Sequence, residues 1–482
     1  MKESFFVGII SFFIGLVGGT IFLPTYYSPD LMVPIVFQIE HSKGNPLITV
    51  NGLPIQRLGN DVYALTMNSR YEQIISVNGQ KRSVRLDRLQ KGDFIPLKLV
   101  YKDKTEFLKL HTVPDTMPEY VLEKSEMKDG YILTSFHVLT LDKASYAVII
   151  DTDGKLVYYH ATDNPYTTMF HMQQFRLPNG KIFYSHHIQT QPSQTGAWIL
   201  GDNVVMDEQF NQIERVRILP TKRHPEMPAD QHDFVILGDK HYLVISYWNE
   251  PYTLKDGTKT TIVSAVVQEQ KDGKVVFDWV SSDYPKTFDM CVEKCPSVYP
   301  NLADYMHINA VAVDPKDNHL LLSLASPYAV VKIDRHSGKI IWVLSGEKDD
   351  FNLEPQYRLT RQHDAHMENG ELVVFDNAYS SLGSQEQHDH FVFFKRDNAR
   401  MLRFRLDEKN HKVLSVSELS IKTTAPYMGS AQQLLDKTVF IGCGSSSDCA
   451  ALAFDTKNNN VLKLTVERPY TTYRAYFVDS LD

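Results

Sequence analysis

From about Glu119 to the end, the chain repeats one pattern: an alternating strand, a tight turn and a second strand, then a more apolar hairpin. The first half-unit appears as FHMQQFRLPNGKIFYSHH from Phe170, QHDFVILGDKHYLVISYW from Gln231 and MHINAVAVDPKDNHLLLSLAS from Met306. It returns as QHDAHMENGELVVFDNAYS from Gln362 and GSAQQLLDKTVFIGCGS from Gly429. The second half-unit recurs as SYAVIIDTDGKLVYYH, TIVSAVVQEQKDGKVVFDWV, PYAVVKIDRHSGKIIWVLSG and CAALAFDTKNNNVLKLTV. Asp-Gly, Asn-Gly and Ser-Gly pairs mark the turns, because tight hairpins need the left-handed backbone these residues accept. Two hairpins make a four-stranded blade. Five copies, with a further start near DGYILTSF at Asp129, predict an all-β, six-bladed β-propeller over residues 119–482. From His171 to His232, His307 and His363 the intervals are 61, 75 and 56 residues, so loops are inserted between equivalent points. A β-helix is the alternative, but its rungs would be shorter and more regular.

Ahead of the repeat, short β-rich runs such as VPIVFQIE, DVYALTM, QIISVNG and FIPLKLVY predict a small β-sandwich over residues 32–116. Phe5 to Leu23 is an uncharged apolar run of nineteen residues, close to the roughly 20 that span a bilayer as a helix. No A-x-A cleavage site follows it, so residues 1–28 read as an uncleaved membrane anchor in preference to a removed signal peptide. The rest of the chain is then expected outside the cytoplasm, on the periplasmic side of the inner membrane in a Gram-negative cell. Cys291 and Cys295 lie in CVEKC, and Cys443 and Cys449 in CGSSSDC. Each pair is spaced to close a small disulfide loop in such a compartment. Free thiols or crossed pairing remain alternatives, and neither spacing is a zinc knuckle.

Lys plus Arg number 50 against 58 Asp plus Glu, a net charge of −8, which disfavours nucleic acid as a partner. The sequence has no GxxxxGK(S/T) loop, no GxGxxG turn, no CxxC and no HExxH, so common nucleotide, redox and zinc-protease chemistries lack their motifs.

The repeat register concentrates histidine. His171, His232, His307 and His363 all stand at the start of the first strand of their unit. That strand lines the central channel of a propeller, so four imidazoles from distant stretches of chain should meet at one mouth. Their surroundings are Asp230-Gln231-His232-Asp233, Met306-His307-Ile308-Asn309 and Gln362-His363-Asp364-Ala365. A neighbouring Asp or Asn can set the tautomer and orientation of an imidazole. The competing reading has Asp233 and Asp364 bonded to blade-connecting backbone. His186, His187, His388 and His390 are off the register and read as loop or surface residues.

HINAVAVD, AVVKID, SGKIIWVLSG, RQHDA and ELVVFDNA, in that order from His307 to Asn377, resemble the bacterial and fungal arylsulfotransferases that use no nucleotide sulfate donor. QHDF at Gln231 and YAVIIDTDGKLVYY extend the likeness over roughly Glu119 to Asp482. The resemblance implies a six-bladed propeller with an axial site. There a histidine takes a sulfuryl group from an aryl sulfate ester and passes it to a phenol. His363 matches the nucleophile; His307 and His232 match the residues that bind sulfate oxygens and handle the phenolic proton. Asn309, Asp233, Asp364, His171 and Arg361 are expected around the substrate. Imidazole suits the chemistry, being a good nucleophile at neutral pH and a good leaving group once sulfated. No metal and no cofactor are expected, and the partners implied are small aromatic sulfate esters and phenols. Some of the 25 tyrosines are expected to stack on them.

The sequence departs from the family pattern where Ser-Arg usually follows the HIN motif: Ala325 stands in place of the Arg. A guanidinium there would grip sulfate through two oxygens; Arg358 or Arg361 is the nearest substitute. Ala325 motivates a competing function, a propeller that binds ligand without turnover. Convergent imidazoles also suit Zn, Fe or Cu, which makes a metal site the third reading.

Overall fold

The computed structural model describes residues 117–138, 143–161, 167–191, 198–254 apart from 209 and 211, 256–296, 302–379 and 397–481, with the backbone of the strands between Met32 and Thr112. The Phe5–Leu23 anchor expectation, His388 and His390 lie outside the described residues. Among the described residues no helix is long and apolar enough to cross a membrane. Helix there is confined to short 3₁₀ turns such as Pro285–Met290 and Pro355–Tyr357. Between Met32 and Thr112 the backbone forms two antiparallel sheets, one of five strands and one of four. The packing of one on the other, on which a β-sandwich depends, falls on side chains outside the described residues.

From Tyr120 onward six antiparallel sheets form the blades of a propeller. Blade one runs through Met169–Arg176, Ile182–Gln189, Leu200–Met206 and Gln212–Val216. Blade two runs through Phe234–Gly238, His241–Thr253, Lys259–Lys271 and Lys274–Val280. Blade three takes Ile308–Val313, Leu320–Leu324, Ala329–Ile333 and Ile340–Leu344. Blade four takes His363–Glu368, Glu371–Asp376, Arg400–Asp407 and Lys412–Ser420. Blade five begins with Ser430–Gln433 and borrows Tyr120–Lys124 as its outermost strand. Blade six takes its first strand, Ala475–Val478, from the end of the chain and continues with Tyr131–Phe136. DGYILTSF, expected to open a blade, is therefore second in its sheet. The reason is ring closure: strands from both ends of the repeat must enter finished sheets, or a seam of unpaired edges would remain. The same closure excludes the β-helix alternative.

The apolar cores lie between blades. In Leu320–Leu324, the residues Leu320, Leu322 and Leu324 pack toward blade two, whereas Leu321 packs toward blade four. A strand buried on both faces reads as a continuous apolar run, which is why these segments lack polar alternation. Polar staples join the first strands. Asp233 Oδ2 accepts from Val311 N at 2.9 Å, and Asp364 Oδ2 from Ala431 N at 3.0 Å. Asn309 Nδ2 donates to Gln362 O at 2.7 Å. Gln362 Nε2 reaches back to Leu324 O and Ala329 O. In a Gln-His-Asp triplet the Gln thus holds the preceding blade and the Asp the following one. Both cysteine pairs are disulfides, Cys291–Cys295 and Cys443–Cys449, with Cα separations of 5.6 and 5.9 Å.

Candidate active site

Several first strands start with a disturbed ladder. Register shifts fall between Phe170 and Gln173, between Ile308 and Ala310, and between His363 and His366. His171 and Asp364, within two of these irregularities, and His307, just ahead of the third, have φ of 62°, 55° and 30°. A bulge bends the strand and re-aims its side chains, and His307 and His363, next to two of these irregularities, face the cavity.

His232, His307 and His363 line one cavity of about 300 Å3, together with Gln231, Glu293, Lys294, Ala325, Ser326, Arg361, Tyr427, Met428 and Tyr473. The rings of His232 and His307 meet edge to face, with centroids 4.9 Å apart. His363 Nδ1 lies 2.7 Å from Asn377 Oδ1 and 3.0 Å from Arg361 O. Asn377 has its amide nitrogen engaged by two carbonyls, Ala425 O at 2.7 Å and Met428 O at 2.8 Å. Its oxygen therefore faces His363, and the proton must sit on Nδ1. The Nε2 lone pair is left for chemistry; Met428 N–H donates to it at 3.2 Å. Burial holds the His363 pKa well below the ordinary histidine value; the Asn377 bond opposes this, and the positive charge of Arg474 adds to it. Burial thus favours the neutral ring.

The other two rings are each backed by a carboxylate. His232 Nδ1 lies 2.5 Å from Asp230 Oδ1, and His307 Nδ1 lies 2.6 Å from Asp304 Oδ2. Each Nε2 is thereby the ring nitrogen turned away from the carboxylate; that of His232 lies 3.4 Å from Gln231 Nε2. Burial lowers the His232 pKa, against the pull of Asp230. Burial would raise the Asp304 pKa, but the charge and hydrogen bond of His307 bring it below the usual carboxylate value. Tyr247 stacks on His307 with centroids 5.7 Å apart, and Tyr473 meets His232 at 5.9 Å. Both hydroxyls are spent on backbone carbonyls, of Ile308 and His232 respectively, so these tyrosines offer ring surface to the imidazoles.

The structure brings His232, His307, His363 and Arg361 to the cavity, but not Asn309, Asp233, Asp364, His171 or Arg358. Asp233 and Asp364 have the bonds of the competing reading, joining blades. They also flank Arg474, whose Nη1 is 3.5 Å from Asp233 Oδ1 and 3.2 Å from Asp364 Oδ1. Arg474 Nη2 donates to Asn309 O at 2.7 Å, and His171 Nε2 lies 3.4 Å from Nη1. Burial pushes the Asp233 pKa up to about 6 against the charge of Arg474. Asp230 was among the neighbours the sequence placed beside His232, whereas Asp304 and Asn377 were missed as ring-orienting partners. An Asp three residues ahead of a repeat histidine was the available signal for Asp304. Arg474 offered none, since it precedes the strand that closes the ring from the far end of the chain.

His186 and His187 are not surface residues. Both lie buried in Ile182–Gln189, the second strand of blade one, where both faces pack against neighbouring strands. Burial lowers the His187 pKa to about 4. Among the described residues, Asp314, Asp317 and Glu408 are the group of acidic or histidine side chains with metal-like spacing. The Lys332 ammonium already stands among them, 2.7 Å from Asp314 and 2.6 Å from Asp317. The axial histidines do not form such a group.

No curated protein sequence matches the chain significantly. Solved structures with a similar course include a protein of unknown function from Bacteroides caccae, 9% identical, with a TM-score of 0.38 over 73% of this chain and 99% of that one. Hydrazine synthase of Kuenenia stuttgartiensis is 13% identical, with a TM-score of 0.34 over 70% of this chain and 79% of that one. Virginiamycin B lyase from Staphylococcus aureus is 10% identical, with a TM-score of 0.26 over 72% and 100%. At such scores the likeness says nothing of activity. The arylsulfotransferase (ASST) family model, by contrast, matches residues 114–474, a stretch that contains five whole blades, all of the sixth but its first strand, and every residue of the cavity. The chain belongs to the arylsulfotransferase family.

Proposed function

We propose that the protein transfers a sulfuryl group from an aryl sulfate ester to a phenol through a sulfo-histidine at His363. The neutral Nε2 of His363 attacks sulfur as the ester S–O bond breaks, and the electron pair leaves with the phenolate. His307 gives that oxygen its proton, and Asp304 stabilises the imidazolium beforehand. In the second half the acceptor phenol loses its proton to His307 while its oxygen takes the sulfuryl group from Nε2. Met428 N–H, 3.2 Å from Nε2 in the free protein, gives up that long bond and faces the sulfuryl oxygens. His232 and Arg361 bind sulfate oxygens from the lining. The observation that carries the reading is the tautomer of His363, set through Asn377 by two backbone carbonyls.

The experiment is transfer from 4-nitrophenyl sulfate to phenol. His363→Ala should abolish it, by at least about 10³-fold, and quenched wild-type enzyme should carry one sulfated His363 by peptide mass spectrometry. Unchanged transfer in the variant sinks the assignment. Ala325 favours a second reading, a propeller that binds aryl sulfates without turnover; binding of the ester with no product would support it. The apolar run at residues 5–23 belongs to the same proposal as a membrane anchor, with the propeller outside the cytoplasm. The two disulfides support an oxidising compartment.

A further inference from the structure

The five-residue disulfide loop Cys291–Cys295 delivers two opposite charges to the cavity, those of Glu293 and Lys294. Glu293 is 3% exposed. Its carboxylate pairs with the Arg361 guanidinium, Nε to Oε1 at 3.2 Å, and also accepts from the Tyr328 hydroxyl. Glu293 N donates to Ser326 O at 3.1 Å, which ties the loop to the opposite wall. A buried carboxylate inside a cavity built for an anion needs a reason. It reduces the positive charge that an incoming ligand meets. The lining holds Arg361 and Lys294 against Glu293. Asp230 and Asp304 stand one hydrogen bond behind the imidazoles, and the His307 imidazolium of the proposed transfer offsets Asp304. The remaining cavity wall at Ala325 adds no charge.

We infer that Glu293 is a specificity-determining residue that matches the cavity to singly charged sulfate esters and excludes doubly charged phosphate monoesters of the same shape. Sulfate and phosphate esters are near-isosteric, and hydrogen-bond geometry separates them poorly. Charge separates them well: above the second phosphate pKa, near 6, the phosphate ester carries twice the charge. Each charge fixed on the protein is felt twice as strongly by the dianion, and low solvent access keeps that interaction from being screened. The neutral ring of His363, kept so mainly by burial, adds no positive charge to offset the carboxylate. The inference rests on the proposed function, since it presumes that the cavity receives an ester anion.

The test compares 4-nitrophenyl sulfate and 4-nitrophenyl phosphate as ligands of the full-length protein at pH 8, by calorimetric titration and by inhibition of transfer. Wild type should bind the sulfate at least about tenfold more tightly. Glu293→Gln should strengthen phosphate binding more than sulfate binding and narrow the ratio about tenfold. Lys294→Met should move the ratio the other way, which guards against a Glu293 variant that merely loosens the loop. Equal affinities in wild type, or a ratio unmoved by both substitutions while sulfate transfer persists, would overturn the inference and leave the function standing. Failure of wild type to bind either ester would overturn both.

Discussion

At the scale of single residues, the candidate chemistry depends on partners two bonds away from the reacting atom. Asn377 decides which nitrogen of His363 holds the proton, and does so because its own amide is committed to Ala425 O and Met428 O. A carboxylate at that place stabilises the imidazolium, so Asn377→Asp should raise the His363 pKa. Protonated His363 cannot attack. Wild-type kcat/KM should therefore stay flat as pH falls through 6, whereas the variant should lose activity there, with its acid limb moved up by about 1–2 pH units. An unmoved limb would remove Asn377 from the tautomer assignment. A second residue tests burial alone. His137 is fully buried, neither ring nitrogen has a hydrogen-bond partner among the described residues, and burial lowers its pKa to about 3. The unfolded chain binds that proton near pH 6.5, so stability is whole above 6.5 and falls by about 1.4 kcal/mol per pH unit below it. His137→Phe should retain about 2 kcal/mol more than wild type at pH 5, relative to pH 7.5, in chemical denaturation.

At the scale of elements, the Gln-His-Asp triplet does three jobs with three consecutive residues. Gln362 bonds the preceding blade, His363 enters the cavity and Asp364 bonds the following blade. Such a triplet joins structure and function: weakening a staple displaces the histidine between its neighbours. Asp364→Ala leaves Ala431 N without its acceptor and takes one carboxylate from the buried Arg474. It should cost about 3 kcal/mol of stability, read as a lowered midpoint in urea, and reduce transfer as well. Loss of activity without loss of stability would place Asp364 in the reaction instead of the joint.

At the scale of the whole molecule, the ring is closed by both ends of the repeat. Tyr120–Lys124 finishes blade five, and Ala475–Val478 begins blade six. Ending the chain after Arg474 removes that first strand. It exposes Tyr131–Phe136 as a bare edge and breaks the Ser430 contacts to Ala475. The truncated protein should lose cooperative thermal unfolding by circular dichroism, though only eight residues are gone. Retention of a single sharp transition would show that the closure is dispensable.

The repeat, the blade number, the pairing of the cysteines and the family likeness were all legible in the linear order of residues, because each rests on local periodicity, turn chemistry or short spacing. The convergence of His232, His307 and His363 was legible too, since equivalent positions in a ring share one mouth. What belonged to tertiary structure alone was which neighbour of each histidine touches it. Backbone geometry at the start of each first strand sets the direction of a side chain, and no local pattern announces it, so Asp230 and Asp304 took the orienting place while Asp233 and Asp364 went to the joints. Arg474, just ahead of the closing strand, and Glu293, in a disulfide loop, are likewise placed by the folded path of the chain alone.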